Sequence, residues 1–382
     1  MINIEQTSHL NSIGSFLAME IFSKAKQLES RGREIIHLEF GEPDFSAPED
    51  AVKSVLKSME INDAGYTFSR GLEGLRNEIV KKYESDYGVK ILPEQVLVSN
   101  GTSFLLYLSI RLLAPLGSEV IITDPCYACY ENIIRFAGVV PIMVKLRKED
   151  GFQLNISELK KKLTKKTKAI LINSPMNPTG VVFSNEVMTE LAALDIPVIS
   201  DEIYADLNFE DKPKSFLNFS PQSVAINGFS KYYAMTGWRL GYLISPLEWI
   251  SAADRLHQNL MISATEFVQE AGISVLQNSK GYCEKMKLEF DQRRKYILNL
   301  MIEFGMDPGY TPTGAFYVMY KYKNYKKSSF DFCIEALEKT GIAIAPGRDF
   351  GLGGEGYIRL SYAASIENIE SALKKLYKNK LL

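Results

Sequence analysis

Between about residues 95 and 246, short β-branched runs alternate with stretches whose apolar residues recur at helical spacing. The strand-like runs are Val96–Val98, Val120–Thr123, Val139–Val144, Ala169–Asn173, Val198–Ser200, Val224–Asn227 and Tyr242–Ile244. Strands separated by helices fold as βαβ units, which predicts an α/β chain with a doubly wound, mostly parallel sheet. At 382 residues the chain is long for one minimal core and suits two domains.

The flanks supply the second unit. Residues 15–31 carry apolar positions at helical spacing and end at Arg31-Gly32, a good helix stop. Ile35–Leu38 reads as a short strand leading into the loop Gly41-Glu42-Pro43-Asp44. Helices are expected near 48–59 and 72–86, on either side of a turn-rich stretch from Asn62 to Gly71. After 247 the pattern is helical to about 304, followed by strands Gly314–Lys321, Ile342–Ala345 and Tyr357–Ser361 and a helix from about 366. The expected division is an N-terminal arm and part of the small domain in 1–47, a large domain in 48–290, and a smaller α+β domain in 291–382.

Composition narrows the function classes. A hydrophobic share of 46% and a charged share of 24% exclude a disordered chain. A net charge of −2 gives no general attraction to nucleic acid or to an anionic membrane. The longest apolar candidate, Phe104 to Leu113, is too short to cross a bilayer and contains Arg111. The polar start, Met1 to Thr7, lacks the basic-then-apolar order of a leader, so a cytoplasmic protein is expected. Four cysteines are no disulfide framework; Cys126 and Cys129 read as free thiols, and His9, His37 and His257 show no ligand spacing, so no metal is expected. Lys160 to Lys168 reads as a solvated helix face and turn. Gly351 to Gly356 precedes a strand instead of opening a helix, which makes it a turn and not a dinucleotide fingerprint.

In open α/β sheets, ligands bind outside the carboxyl ends of the strands. The residues just past each strand here are chemically pointed. Asn100-Gly101-Thr102-Ser103 opens an apolar helix and offers free N–H groups, hydroxyls and a positive helix end to a phosphate. Arg239, between Gly237 and Gly241, could add a bidentate contact to that phosphate. Asp124-Pro125-Cys126-Tyr127 brings an aromatic ring, and Ser174 to Gly180 brings the amide of Asn177. Asp201 and Tyr204 stand at the end of Val198–Ser200, where an unpaired carboxylate would be costly and calls for a cation such as a protonated ring nitrogen. Lys231 follows an apolar strand; partial desolvation there lowers a lysine's pKa and suits it to form a Schiff base.

Taken in order, Ser174-Pro175-Met176-Asn177-Pro178-Thr179-Gly180, Ser200-Asp201-Glu202-Ile203-Tyr204, Asn227-Gly228-Phe229-Ser230-Lys231 and Met235-Thr236-Gly237-Trp238-Arg239-Leu240-Gly241-Tyr242 closely resemble the class I/II aminotransferases. These are pyridoxal-phosphate (PLP) enzymes of fold type I, aspartate aminotransferase-like, and the resemblance runs from Gly41-Glu42-Pro43-Asp44-Phe45 to Ile358-Arg359-Leu360-Ser361-Tyr362-Ala363.

The resemblance implies that Lys231 holds PLP covalently, with Ser230 beside it among the cofactor contacts. Asp201 would pair with the pyridinium nitrogen, Asn177 and Tyr204 with the 3′-oxygen, and the Tyr127 ring would stack on the pyridine. Gly101, Thr102, Ser103 and Arg239 would hold the phosphate, and Tyr66 would reach the phosphate of a neighbouring subunit, implying a homodimer with shared sites. Arg359 would grip the substrate α-carboxylate, helped by the N–H of Gly41 and by Asn177.

The implied reaction moves an amino group between an L-amino acid and a 2-oxo acid by a ping-pong route, with Lys231 as the acid/base and Asp201 and Tyr204 as its catalytic partners. A β-eliminating carbon–sulfur lyase on the same fold shares all these residues, and a non-catalytic ligand-sensing module is the reading from another class. Phe16, Leu17 and Ala18 align where aspartate-specific relatives carry small hydroxyl residues, which weakens the case for an acidic substrate.

Overall fold

The computed structural model describes residues 13–61, 65–323 and 326–381. His9, Asn62 and the first twelve residues of the expected arm lie outside the described residues. The chain opens with α1 (Leu17–Glu29), β1 (Ile36–His37), α2 (Glu49–Glu60) and α3 (Glu73–Lys82). The alternating part continues as β2 (Val96–Ser99), α4 (Thr102–Leu113), β3 (Glu119–Asp124), α5 (Cys129–Phe136), β4 (Val140–Lys145), α6 (Ile156–Lys162), β5 (Thr167–Asn173), α7 (Asn185–Ala192), β6 (Val198–Asp201), β7 (Val224–Gly228) and β8 (Gly241–Ile244). It ends with α8 (Leu247–Leu260), α9 (Glu266–Asn278), α10 (Lys280–Glu303), β9 (Tyr317–Lys321), α11 (Ser329–Thr340), β10 (Ile342–Ala343), β11 (Ala345–Pro346), β12 (Tyr357–Ser361) and α12 (Ile366–Lys378).

Strands β2 to β8 form one seven-stranded sheet in the order β2-β8-β7-β6-β5-β3-β4. β4, β3, β5, β6 and β7 pair in parallel, and β8 is antiparallel to both of its neighbours, β7 and β2. Only β8 therefore runs against the rest. Side chains alternate between the two faces of the sheet. Ile122, Leu171, Ile199, Ile226 and Leu243 pack with α4, α5 and α8, while Ile121, Ile170, Ile172 and Val198 pack with α6 and α7. With both faces covered, the central strands can be apolar almost throughout, which is why they read as continuous β-branched runs.

The smaller unit joins the two ends of the chain. β1 pairs in parallel with β10, and β9, β12 and β11 form an antiparallel sheet. The apolar run Ile342–Ala345, read in sequence as one strand, is divided between these two sheets: Ile342 and Ala343 face β1, and Ala345 and Pro346 face β12. The expected strand Gly314–Lys321 begins at Tyr317, with Gly314 held by a separate bridge to Asn208. The helix expected over 72–86 ends as a π turn, Tyr83–Tyr87, closed by the left-handed Gly88. α10 runs unbroken through residue 290, so the expected domain boundary falls within a helix. The turn at Gly351–Gly356 contains the 3-10 segment Leu352–Gly354 and precedes β12. No described helix is long and apolar enough to cross a membrane.

Candidate active site

The carboxyl ends of β2, β3, β5, β6 and β7 share one edge of the sheet. Because β8 runs the other way, its amino end lies at that same edge and brings Arg239 there, two residues ahead of Gly241. A cavity of about 300 Å³ opens at this rim. Gly41, Thr102, Ser103, Tyr127, Asn177, Asp201, Tyr204, Ser230, Lys231, Arg239 and Arg359 all line it. Of the residues singled out from sequence, Gly101 abuts it through Arg239, and Tyr66 stays away, 85% exposed.

Gly101 has φ +86, and a Cβ there would lie 2.5 Å from Nη2 of Arg239. Glycine thus serves twice, for the backbone conformation and for the approach of the guanidinium. It is the N-cap of α4, and no side chain caps that end, so the first-turn N–H groups remain available to an anion. Arg239 is itself left-handed at φ 58 and is steadied by a 3.0 Å bond from Nη1 to the Thr236 carbonyl.

Asp201 is buried at the end of β6. The Tyr130 hydroxyl donates to its Oδ2 at 2.7 Å, and the Ile203 N–H donates to Oδ1 at 3.2 Å. Burial pushes its carboxyl up to about 6, against the lowering effect of those two bonds and of the Lys231 charge. A cation placed against it would relieve that cost. Lys231 follows β7 and donates from Nζ to the Gly41 carbonyl at 2.5 Å. Burial brings its amine down to about 8; Glu42 and Asp201 act upward, and Arg359 and Arg239 reinforce the lowering.

Arg359 projects from β12 and is buried. Its Nη1 donates to Asn177 Oδ1 at 2.9 Å, its Nη2 to the Glu39 carbonyl, and its Nε has no partner among the described residues. The guanidinium lies between the rings of Tyr317 and Phe350, 4.4 and 4.8 Å from their centroids. Tyr204 and Tyr317 join their hydroxyls at 2.7 Å. A side chain at Gly41 would collide with the Tyr317 hydroxyl. Tyr127 meets Tyr130 edge-on, with centroids 5.3 Å apart.

Sequence reasoning missed Tyr130, Tyr317 and Phe350. Tyr130 had a signal: it lies three residues after Tyr127, in the first turn of α5. Tyr317 and Phe350 had none: Tyr317 lines the cavity from β9, and Phe350 meets it only through the Arg359 guanidinium. The His257 ring is buried, bonded to Ser69 and Ser99 through its two nitrogens at 2.9 and 3.2 Å. Cys126 and Cys129 are free thiols, the Lys160–Lys162 face is exposed, and the described residues hold no cluster suited to a metal.

One cavity thus gathers a partly desolvated amine, a buried carboxylate, an anion cradle and a buried guanidinium. Residues 33–376 match the family described as aminotransferase class I and II. The chain belongs to that family. This aminotransferase is 39% identical over 375 residues to the (5-formylfuran-3-yl)methyl phosphate transaminase of Methanocaldococcus jannaschii, covering 97% of this chain and 98% of the relative. It is 34% identical to the aspartate aminotransferase of Geobacillus stearothermophilus, covering 94% and 95% of the two chains. The structure of the Thermus thermophilus aspartate aminotransferase with maleate superposes with a TM-score of 0.93 at 30% identity, covering 98% of this chain and 99% of the other.

The fold is that of the fold-type I aminotransferases, the activity is transfer of an amino group, and the cofactor is pyridoxal phosphate. The aminotransferase's own residues fit that cofactor. The uncapped start of α4 with Arg239 above it suits a phosphate, and the buried Asp201 carboxylate suits a protonated ring nitrogen.

Proposed function

We propose that this cavity moves an amino group from an L-amino acid to a 2-oxo acid in two half-reactions, its residues dividing the work by position. Gly101, Thr102, Ser103 and Arg239 hold the cofactor phosphate at the α4 terminus. Asp201 would face the ring nitrogen, Asn177 and Tyr204 would face the ring oxygen, Tyr127 would cover the ring, and Ser230 flanks the lysine. When bound, pyridoxal phosphate supplies an electron sink for the bond broken at the substrate α-carbon. Lys231 would anchor it, and its free Nζ would be placed to take the substrate α-proton and to return it on the other side of the transfer. Arg359, with the Gly41 N–H and Asn177, would fix the α-carboxylate and so orient the substrate α-carbon toward the Lys231 Nζ.

The observation that carries this reading is the pairing of Lys231, with its pKa near 8, and Arg359, with its unpartnered Nε, in one cavity. An amine near 8 is a usable base at neutral pH, and a buried unpaired donor calls for an acceptor such as a carboxylate. The reading includes a homodimer, to which the exposed Tyr66 is suited, and a cytoplasmic setting, which goes with four free cysteines.

The test is direct. Borohydride reduction and peptide mapping should place the cofactor adduct on Lys231, and Lys231→Ala should bind PLP without a covalent bond while turnover falls by about 10³-fold or more. An adduct elsewhere, or near-normal turnover, would refute the assignment. Release of pyruvate and ammonia from a cysteine conjugate, with no 2-oxo acid present, would point to the lyase instead.

A further inference from the structure

We infer that the side-chain subsite of this cavity is built for an aromatic or large apolar amino acid, with Phe16 and Phe40 as its specificity-determining residues. The inference rests on the proposed use of the cavity as an amino-acid site, and adds what that site accepts.

Charge is the first consideration. Among the described residues, the cations lining the cavity are Lys231, Arg239 and Arg359. Each already has a use: Arg239 stands over the anion cradle, Lys231 carries the cofactor, and Arg359 is buried where the α-carboxylate binds. Among this subunit's described residues, no lining cation is left for a second carboxylate. The remaining charged groups on the wall are acidic. Glu42 lies close enough for its charge to act on Lys231, and Glu39 is wholly buried, with Oε1 on His37 at 2.7 Å and Oε2 without a partner among the described residues. A distal carboxylate would lose its water here and meet like charge in return.

The wall itself is the second. Phe16 and Phe40 line the cavity and are both half-buried, so each keeps part of its surface accessible. Phe16 precedes α1, whose first N–H groups, Leu17 and Ala18, donate to the Asp349 carboxylate at 2.9 and 3.0 Å. It packs against Ala18, Ala345 and Phe350. Since Phe350 also lies on the Arg359 guanidinium, the apolar wall begins where the carboxylate grip ends. Phe40 is held edge-on by Phe22, with centroids 4.6 Å apart at 81°. Two anchored, partly accessible rings and the Tyr127 ring line one cavity, an apolar wall that an aromatic side chain covers at little ordering cost.

The PLP-loaded enzyme should be mixed singly with L-phenylalanine, L-tyrosine, L-leucine, L-alanine, L-aspartate and L-glutamate, monitoring the cofactor's absorbance through one half-reaction. Phenylalanine should exceed aspartate in kcat/KM by about 10-fold or more. Phe16→Ala and Phe40→Ala should each lower the phenylalanine-to-alanine ratio by about 10-fold, chiefly through weaker binding, and Phe16→Lys should raise the aspartate-to-phenylalanine ratio. Should Phe16→Ala fail to fold by circular dichroism, Phe16→Leu must shift the ratio in the same direction. Aspartate preferred over phenylalanine, or ratios unmoved in both alanine variants, overturns the subsite while transamination stands. No conversion with any amino acid overturns the proposed function beneath it, and the subsite with it.

Discussion

At the scale of single residues, the chemistry depends on groups kept away from their ordinary pKa. Asp201 is the clearest case, because its pKa near 6 is the balance of burial against two hydrogen bonds. The Tyr130 hydroxyl is the stronger of the two, and it is a positioning contact: it fixes Oδ2 and favours the charged form. A hydrogen bond to a charged group contributes about 1.5–3 kcal/mol, which corresponds to roughly one to two pKa units. Tyr130→Phe should therefore move Asp201 further up, so that its carboxylate is lost at a higher pH. The acid limb of PLP affinity, measured by equilibrium titration of the apoenzyme, should shift upward by about one pH unit. A purely structural role for Tyr130 would lower affinity evenly and leave the limb in place. Residue-level legibility divides along the same line. Lys231, Asp201, Tyr204 and Arg239 could be read because each stands next to a strand end in the chain. Tyr130 meets Asp201 across 71 positions and Tyr317 meets Tyr204 across 113, and no local pattern encodes either meeting.

At the scale of elements, β2 and α4 present the anion cradle, and α8 holds them in place from behind. His257 of α8 bonds Ser99 at the end of β2 and Ser69 in the segment just after Tyr66, so one ring ties the cradle to the segment bearing that tyrosine. Read from sequence alone, this histidine had no role. Burial keeps its pKa below the usual histidine range. The stability this site contributes is therefore present above the unfolded pKa, about 6.5, and is lost as pH falls toward the lowered folded value. His257→Ala leaves the buried Ser99 hydroxyl and the half-buried Ser69 hydroxyl short of a partner, at a cost of about 1–3 kcal/mol near pH 7.5. The gap between wild type and variant should narrow as the pH is lowered to 5, because only the wild type has a histidine there to protonate. Urea melts across that range check it, and a gap that widens toward acid would contradict the account. Strand and helix periodicity made the central sheet readable. It gave no warning that Ile342–Ala345 changes sheets, since an apolar run looks the same whichever neighbour it pairs with.

At the scale of the whole molecule, the cavity is assembled from both units, with β12, β9 and α1 closing over the rim of the large sheet. Among the large apolar side chains this chain leaves exposed are Met59, Ile61, Tyr66 and Phe68, at 60%, 67%, 85% and 80%. Large apolar side chains clustered in one stretch are the kind of surface a second copy covers. If Tyr66 completes the phosphate site of the partner, two defective subunits should repair each other. A hybrid of Lys231→Ala and Tyr66→Ala subunits contains one site with the lysine of one chain and the tyrosine of the other, both intact. Its second site carries both lesions. Such hybrids, formed by refolding a mixture and separated by a charge tag, should regain about half the activity of the wild-type dimer, counted as one site of two. The Tyr66→Ala parent alone must fall below that level for the comparison to be informative, which requires a loss of well over half its activity. Hybrids that only average their parents would place Tyr66 in its own subunit's site, and a monomer at working concentration would remove the shared site altogether.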